Sequence, residues 1–474
     1  MAGFDHEDPA LMPAHVMLER FAAGSLSPVE AVEAALARIE RHGPSLNPFV
    51  LTDPEGALAA ARDAESRWTK NAPLGRLDGV PATNKDIILT KGWPTLRGSR
   101  LIDPNQPWEV DAPVTARLKE HGAVMLGKTT TPEFGWKGVT DSPLTGVTRN
   151  PWNLERTPGG SSGGAAAAAA AGMGALHVGT DAGGSVRIPA GFTGIVGLKP
   201  TYGRVPAWPR SPFGTLAHIG PMTRSVMDAA LMLTVMAEPD HRDTHALPPT
   251  DLDYCLGLEA GFEGLRVAVS RNLGGHRVHP EIARLFDEAL KTVADLGVVM
   301  EEAEPDLSAS HDIFRIHWHA GAAKVLRAFT EEQRAEMDAG LVEVAEGAAE
   351  ITLADYLDAM MARDALAEAA AEFFTRYDLL LTPTLPLPAF GTGQLMPQDM
   401  ETEAHGPGDW PMWTAFSYPF NLTQQPALTV PCGLTDEGLP AGLQIVGRRF
   451  EDHTVLRAAY AFEQARPFAL PDLS

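Results

Sequence analysis

The sequence predicts an α/β fold in which helices are layered on a β-sheet. Strand, helix and strand patterns alternate along the chain, the arrangement that layers helices on a sheet. Of the 474 residues, 44% are apolar and 21% charged, ordinary globular usage that supplies a large core. At this length the chain could hold roughly two or three average domains, though large α/β enzymes often run this long as one unit. No repeat, low-complexity linker or disordered tail divides it, and one domain over residues 1–474 is the expectation.

Ser27-Pro28-Val29-Glu30 is a helix start, with Ser at the cap, Pro at the first helical position and Glu three residues after the cap. Val32, Ala35, Leu36 and Ile39 then repeat at one-face spacing, and His42-Gly43-Pro44 is expected to close the helix. A second helix begins at Asp53-Pro54-Glu55 and runs to about residue 68, so residues 1–70 read as an N-terminal helical layer. Leu77-Asp78-Gly79-Val80-Pro81 is a turn, and residues 82–89 read as a strand interrupted by Asn84-Lys85-Asp86. A polar triplet inside an apolar strand sets pattern against chemistry, as functional sites do. An edge-strand ion pair between Lys85 and Asp86 is the structural alternative.

Asp111 is expected to cap a helix through Lys119, followed by Gly122 and a buried strand over 123–127. The same alternation returns as a strand over 265–270, a helix over 280–296 and a strand over 298–300. Residues 308–374 are almost wholly helical in pattern and alanine-rich, a helical insertion or cap within the domain. Strands over 379–381, 427–431 and 443–446 and a helix from about Thr454 complete the chain.

Composition excludes several functions. Thirty-eight Lys and Arg against 61 Asp and Glu give a net charge of −23, which repels phosphate backbones, and no basic block reverses it. Cys255 and Cys432 are far apart and lack a CxxC pattern, so neither a disulfide scaffold nor a structural zinc site is expected, and both are read as reduced thiols. The N-terminal MAGFDHEDPA has no secretory leader pattern, and the apolar run over 165–176 is interrupted by Gly172 and Gly174 and too short to span a bilayer. A soluble cytoplasmic protein is the expectation.

The chemistry concentrates in Gly159-Gly160-Ser161-Ser162-Gly163-Gly164 and, 24 residues on from Ser161, in the stretch around Ser185. Glycines there allow bare N–H groups to approach another atom closely, beside serine hydroxyls. A phosphate-binding loop would need Gly-Lys-Ser/Thr, but Gly164 is followed by seven alanines. The GxSxG pattern at Gly159–Gly163 lacks the buried strand that must precede a nucleophile elbow, and no downstream His sits in a persuasive turn. A third reading uses a buried lysine, held neutral, as the base for a serine. Lys85 is the candidate.

Gly79-Val80-Pro81 with Lys85-Asp86, the Gly160–Gly164 serine pair and Gly179-Thr180-Asp181-Ala182-Gly183-Gly184-Ser185-Val186-Arg187-Ile188-Pro189 together closely resemble the amidase signature family. The resemblance continues through Gly197-Leu198-Lys199-Pro200-Thr201-Tyr202-Gly203, Gly220-Pro221-Met222-Thr223-Arg224-Ser225, Thr382-Pro383-Thr384 and Gly438–Gln444. It implies a single α/β/α layered domain with a mixed central β-sheet, and places the catalytic signature core at 71–235. It also implies a Ser–cis-Ser–Lys triad: Ser185 as the acylated nucleophile, Ser161 as the proton relay on a cis peptide, and Lys85 as base and later proton donor. The N–H groups of Ala182, Gly183, Gly184 and Ser185 would form the oxyanion hole, with Ser162, Asp181 and Arg187 supporting. No metal or organic cofactor is implied.

Phe134, Trp136, Trp208, Phe213, Trp318, Phe416 and Tyr418 fall in segments that line the pocket of relatives, and His218 falls in a loop that approaches the site. His317 and His319 flank Trp318, but residues two apart on a helix face different directions and no acidic or Cys cluster accompanies them, so surface or pocket-lining roles are expected rather than metal binding. The resemblance implies a stand-alone hydrolase of neutral amides with aryl or apolar acyl groups, with carbamates (urethanes) and activated esters within reach of the same chemistry. Its partners would be a small-molecule amide or carbamate, with no nucleic acid and no membrane, and the chain would be a monomer or homodimer. The competing implication is a glutamine-amidotransferase subunit releasing ammonia within a tRNA-dependent complex. Such relatives usually carry Gln where this chain has Ile188.

Overall fold

An 11-stranded sheet organises the computed structural model, which describes residues 7–398 and 406–473. In chain order the strands are β1 (Phe49–Thr52), β2 (Pro81–Lys85), β3 (Val124–Thr129), the small hairpin β4 (Asp141–Ser142) and β5 (Gly146–Val147), β6 (Leu176–Asp181), β7 (Val196–Lys199), β8 (His218–Thr223), β9 (Val267–Val269), β10 (Met300–Glu302), β11 (Leu379–Pro383), β12 (Ala427–Leu434) and β13 (Pro440–Gly447). Their order across the sheet is β1-β3-β2-β6-β8-β7-β12-β13-β11-β9-β10. The β3–β2–β6 and β11–β9–β10 neighbours run parallel, and β6 through β11 pair antiparallel, so the sheet is mixed as expected.

Successive strand residues point to opposite faces, and each face has its own core. Val267 and Val269 pack in one cluster and Ala268 in another, as do Leu379 and Leu381 against Leu380. In chain order the helices are α1 (Ala14–Ala23), α2 (Pro28–Leu46), α3 (Pro54–Thr69), α4 (Pro113–Glu120), α5 (Gly163–Ala170), α6 (Arg187–Thr193), α7 (Val226–Met236), α8 (Pro280–Asp295), α9 (Ser310–Leu326), α10 (Glu331–Arg334), α11 (Ala339–Gly347) and α12 (Leu353–Arg376). Side chains of α1, α4, α7, α8 and the last helix, Asp452–Ala465, join the first core. Those of α9, α11 and α12 join the second, beside a smaller alanine cluster of α5 and α6. The result is three layers.

Several boundaries differ from the expectation. The α2 helix runs through Gly43-Pro44 to Leu46, with the proline in its last turn, where few helical bonds remain to be lost. The chain turns at Asn47 instead, in the left-handed region at φ 51°, with its N–H on the Gly43 carbonyl. Asp111 does not cap α4. Ala112 holds that position, and the Asp111 carboxylate accepts from the Lys91 N–H and Lys119 Nζ. The N-terminal layer is not purely helical, since β1 pairs antiparallel with β3 at the sheet edge. The strand expected over 298–300 is β10, over 300–302.

The strand expected over 82–89 ends at Lys85, where the polar residues turn the chain away from the sheet. Asp86 does not pair with Lys85 but with Lys128, at 3.0 Å. Cys255 and Cys432 are both free. No helix among the described residues is long and apolar enough to cross a membrane. Residues 1–6 of the segment read for a leader lie outside the described residues.

Candidate active site

Parallel pairing of β2 with β6 brings Lys85 and Thr180-Asp181 to the same sheet edge, the carboxyl ends of two neighbouring strands. The turn after β6 carries Ser185 into α6, and the turn before α5 carries Ser161 and Ser162. The Ser162 N–H donates to the Ser185 carbonyl at 3.2 Å, tying the two turns together. The Gly160–Ser161 peptide is cis. Ser161 and Ser185 both line one cleft of about 750 Å³.

Lys85 is fully buried, and its Nζ lies 2.6 Å from Ser161 Oγ, 2.9 Å from Ser162 Oγ and 2.9 Å from Thr180 Oγ1. Three hydroxyls surround Nζ, but none offers a counter-charge. Burial therefore holds the amine well below the ordinary lysine range, and the charge of Asp181 opposes this only in part. A neutral amine has a lone pair, so Nζ can take a proton from Ser161.

Asp181 is spent on shaping the nucleophile turn. Its carboxylate accepts the Gly184 N–H at 2.7 Å and the Val186 N–H at 3.2 Å, and pairs with Arg187 at 3.0 Å. Burial alone would raise its pKa, but Arg187, Lys199 and Asn421 hold it below the usual carboxylate range. Arg187 also reaches the Ser417 carbonyl, Gln444 Oε1 and Asn421 Oδ1, fixing the turn to β13 and to the segment before β12. Gly184 adopts φ 123°, and a side chain there would collide with Ser417.

The expectation for Gly184 changes accordingly: its N–H belongs to Asp181 and not to the cleft. Among the described residues, the N–H groups of Ala182, Gly183 and Ser185 meet no acceptor, which leaves these three for an oxyanion.

The cleft walls are mostly apolar. Ile87, Ile88 and Leu89 follow β2, Phe134 packs on Phe329 at 5.6 Å, and Trp208 and Phe213 close another side. The α9 helix contributes Lys324 and Val325. Trp318 and Phe416 do not line the cleft. Trp318 stacks behind Phe213 at 4.2 Å as a second layer, and Phe416 is fully buried beside the β13 residue Gln444, which donates to its carbonyl. Trp136 and Tyr418 are likewise core residues.

His218 lies on β8 rather than in a loop. It lines the cleft, with Nδ1 2.7 Å from the Leu216 carbonyl, and burial beside Lys199 keeps the ring neutral. His317 and His319 are buried, not surface residues. His317 lines a second cavity of about 430 Å³ beyond Pro212-Phe213-Gly214. No group of three His, Cys, Asp or Glu among the described residues could hold a metal ion.

Sequence reasoning missed Thr180, Asn421 and Ser417. Thr180 sits inside the quoted motif one residue before Asp181, and only the β2–β6 register reveals it as the third acceptor for Lys85. Asn421 donates to the main-chain and side-chain oxygens of Asp181 from a segment 240 residues away, which no local signal marks.

A family profile described as Amidase matches residues 30–456. An acylamidase of Rhodococcus erythropolis is 39% identical over 458 residues, covering 96% of this chain and 95% of its own. A glutamyl-tRNA(Gln) amidotransferase subunit of Myxococcus xanthus is 38% identical over 484 residues, covering 95% and 96%. Among solved structures, a bacterial aryl acylamidase of the amidase signature enzymes superposes with a TM-score of 0.88 at 31% identity, covering 96% of each chain.

Proposed function

The chain belongs to the amidase signature family of hydrolases, and from that membership we propose that it is a stand-alone hydrolase of C–N bonds in amides with aryl or apolar groups, acting through Ser185. One observation carries the mechanism: a fully buried Lys85 amine, with no carboxylate in contact, hydrogen-bonded to Ser161 at the floor of an apolar cleft that Ser185 also lines.

In acylation the Ser185 oxygen attacks the carbonyl carbon, and its proton passes through Ser161 to Lys85 Nζ. The negative charge on the carbonyl oxygen is met by the N–H groups of Ala182, Gly183 and Ser185. As the C–N bond breaks, the departing nitrogen takes the proton back from Lys85 by way of Ser161. Water then attacks the acyl-enzyme, its proton follows the same route to Lys85, and the Ser185 oxygen recovers a proton as the acid leaves. Ser162 and Thr180 hold Lys85 in line, while Asp181 and Arg187 hold the Ser185 turn. Carbamates and activated esters present the same carbon and oxyanion, so they fall within this chemistry. Two free cysteines fit a cytoplasmic enzyme, which we take to work as a monomer or homodimer.

The similarity to the tRNA-dependent amidotransferases supports a second reading, release of ammonia from glutamine within a multi-chain complex. The Trp208 and Phe213 wall favours apolar amides over glutamine, and Ile188, in the core behind the Ser185 turn, stands where such relatives usually carry Gln. The purified chain alone should hydrolyse aryl amides and label with a fluorophosphonate probe, and Ser185→Ala should abolish both. Turnover that needs other protein chains, or full turnover by Ser185→Ala, refutes the reading.

A further inference from the structure

Building on the amide-hydrolase reading, we propose that the substrate carries a carboxylate remote from the scissile bond and that Arg97 is the residue that selects it. Four charged side chains line the cleft: Arg97, Arg210, Lys324 and Asp243. Three of them have work elsewhere or lie in solvent. Asp243 accepts the N–H groups of Ala207 and His245. Arg210 is exposed and donates to Thr244. Lys324 is exposed in the last turn of α9, where a cation complements the helix end.

Arg97 has no such explanation. Its main chain is fixed in the left-handed region at φ 57° by two hydrogen bonds, its N–H to the Asp86 carbonyl and its carbonyl from the Phe134 N–H. Its half-buried guanidinium makes no hydrogen bond or ion pair among the described residues. The nearby Asp86 carboxylate is already engaged by Lys128 at 3.0 Å and by the Leu96 N–H at 3.2 Å. A partly desolvated cation whose one nearby counter-charge, Asp86, is already shared with Lys128 is costly to keep. Held on a cleft wall between Ile87-Ile88 and Phe134, it offers a planar fork that matches a carboxylate in two bonds. The substrate class this describes is an amide with an apolar or aryl body and a terminal carboxylate.

The test compares matched pairs. Adipic acid monoanilide is set against hexananilide, which ends in methyl, and hexanoyl-para-aminobenzoate against hexanoyl-para-toluidide. An uncomplemented apolar cleft would favour the methyl member of each pair. Instead the acid should be preferred in at least one pair, with kcat/KM higher by on the order of 10- to 100-fold for a charge-assisted contact. In Arg97→Met that ratio should fall to about one or invert, and Arg97→Lys should keep part of it. Binding of phenylbutyrate, an apolar aryl body with a terminal carboxylate, to the Ser185→Ala protein, against phenylbutanol, reads the same site without turnover. Tighter binding of the acid that is lost in Arg97→Met supports the proposal. Equal or weaker binding of the acid, or a wild-type ratio unchanged in Arg97→Met, overturns it. If no anilide is cleaved, the amide-hydrolase reading fails while the binding pair still decides the role of Arg97.

Discussion

Replacing Lys85 by methionine tests the proposed base with little change in side-chain volume. The lysine amine meets Ser161, Ser162 and Thr180 and no carboxylate. Methionine keeps the packing but supplies no proton acceptor, so kcat should fall by roughly 10²- to 10⁴-fold, the usual worth of general-base catalysis. Stability should hardly change. Three hydrogen bonds at about 1 kcal/mol each are lost, while the methionine removes an amine that burial disfavours in its charged form. The sign follows from proton binding. With its folded pKa depressed, the folded state binds fewer protons than the unfolded state below the ordinary lysine range. Lys85 therefore costs stability at neutral pH, a cost that shrinks as pH rises toward that range. The assay is kcat/KM against pH beside thermal unfolding. Wild-type activity should fall on acidification as Lys85 gains a proton, and the lysine-dependent limb should vanish in Lys85→Met. A variant with near-normal rate, or with the same acid limb, refutes the lysine-base mechanism.

Two further substitutions probe the supports. Asp181→Asn leaves the fully buried Arg187 cation without its counter-charge, which should cost about 3–5 kcal/mol in denaturant unfolding and slow fluorophosphonate labelling of Ser185, because the Gly184 and Val186 N–H groups lose a charged acceptor. Glu463, buried near Asp228 with only the Val226 N–H as a direct hydrogen-bond partner among the described residues, has its pKa pushed up by burial to about 8. Between the ordinary glutamate range and pH 8 the folded state therefore holds a proton that the unfolded state has lost, so stability should decline across that window, by up to about 5 kcal/mol. Glu463→Gln should flatten the decline, as measured by unfolding at pH 5 and pH 8.

The sequence made the chemistry legible where it is local and opaque where it is assembled across the sheet. Lys85 stood out because a polar triplet broke an apolar run, and Ser161 and Ser185 because glycine-rich turns surround both, although only the family resemblance singles out Ser185 as the nucleophile. Both signals are residue types out of place within a few positions. Helix starts at Ser27 and Asp53 were equally local and held, since a cap and its first turn are neighbours in sequence. What could not be read depends on register and on distant chain. Asp86 finds Lys128 on the adjacent strand β3. The use of the Gly184 N–H depends on where the Asp181 side chain turns, which the motif does not encode. The aromatic positions divide for the same reason. Phe213 and Trp318 are both large, apolar and predicted for the pocket, yet they stack face to face at 4.2 Å, and only the nearer ring can touch a ligand. Arg97 is the clearest case: nothing in Leu96-Arg97-Gly98 distinguishes it from any surface arginine. Its meaning arises only when Lys128 has claimed Asp86 and the guanidinium is left facing the cleft. A motif identifies the machinery that breaks the bond; the substrate is specified by side chains whose partners, or lack of them, only the folded chain defines.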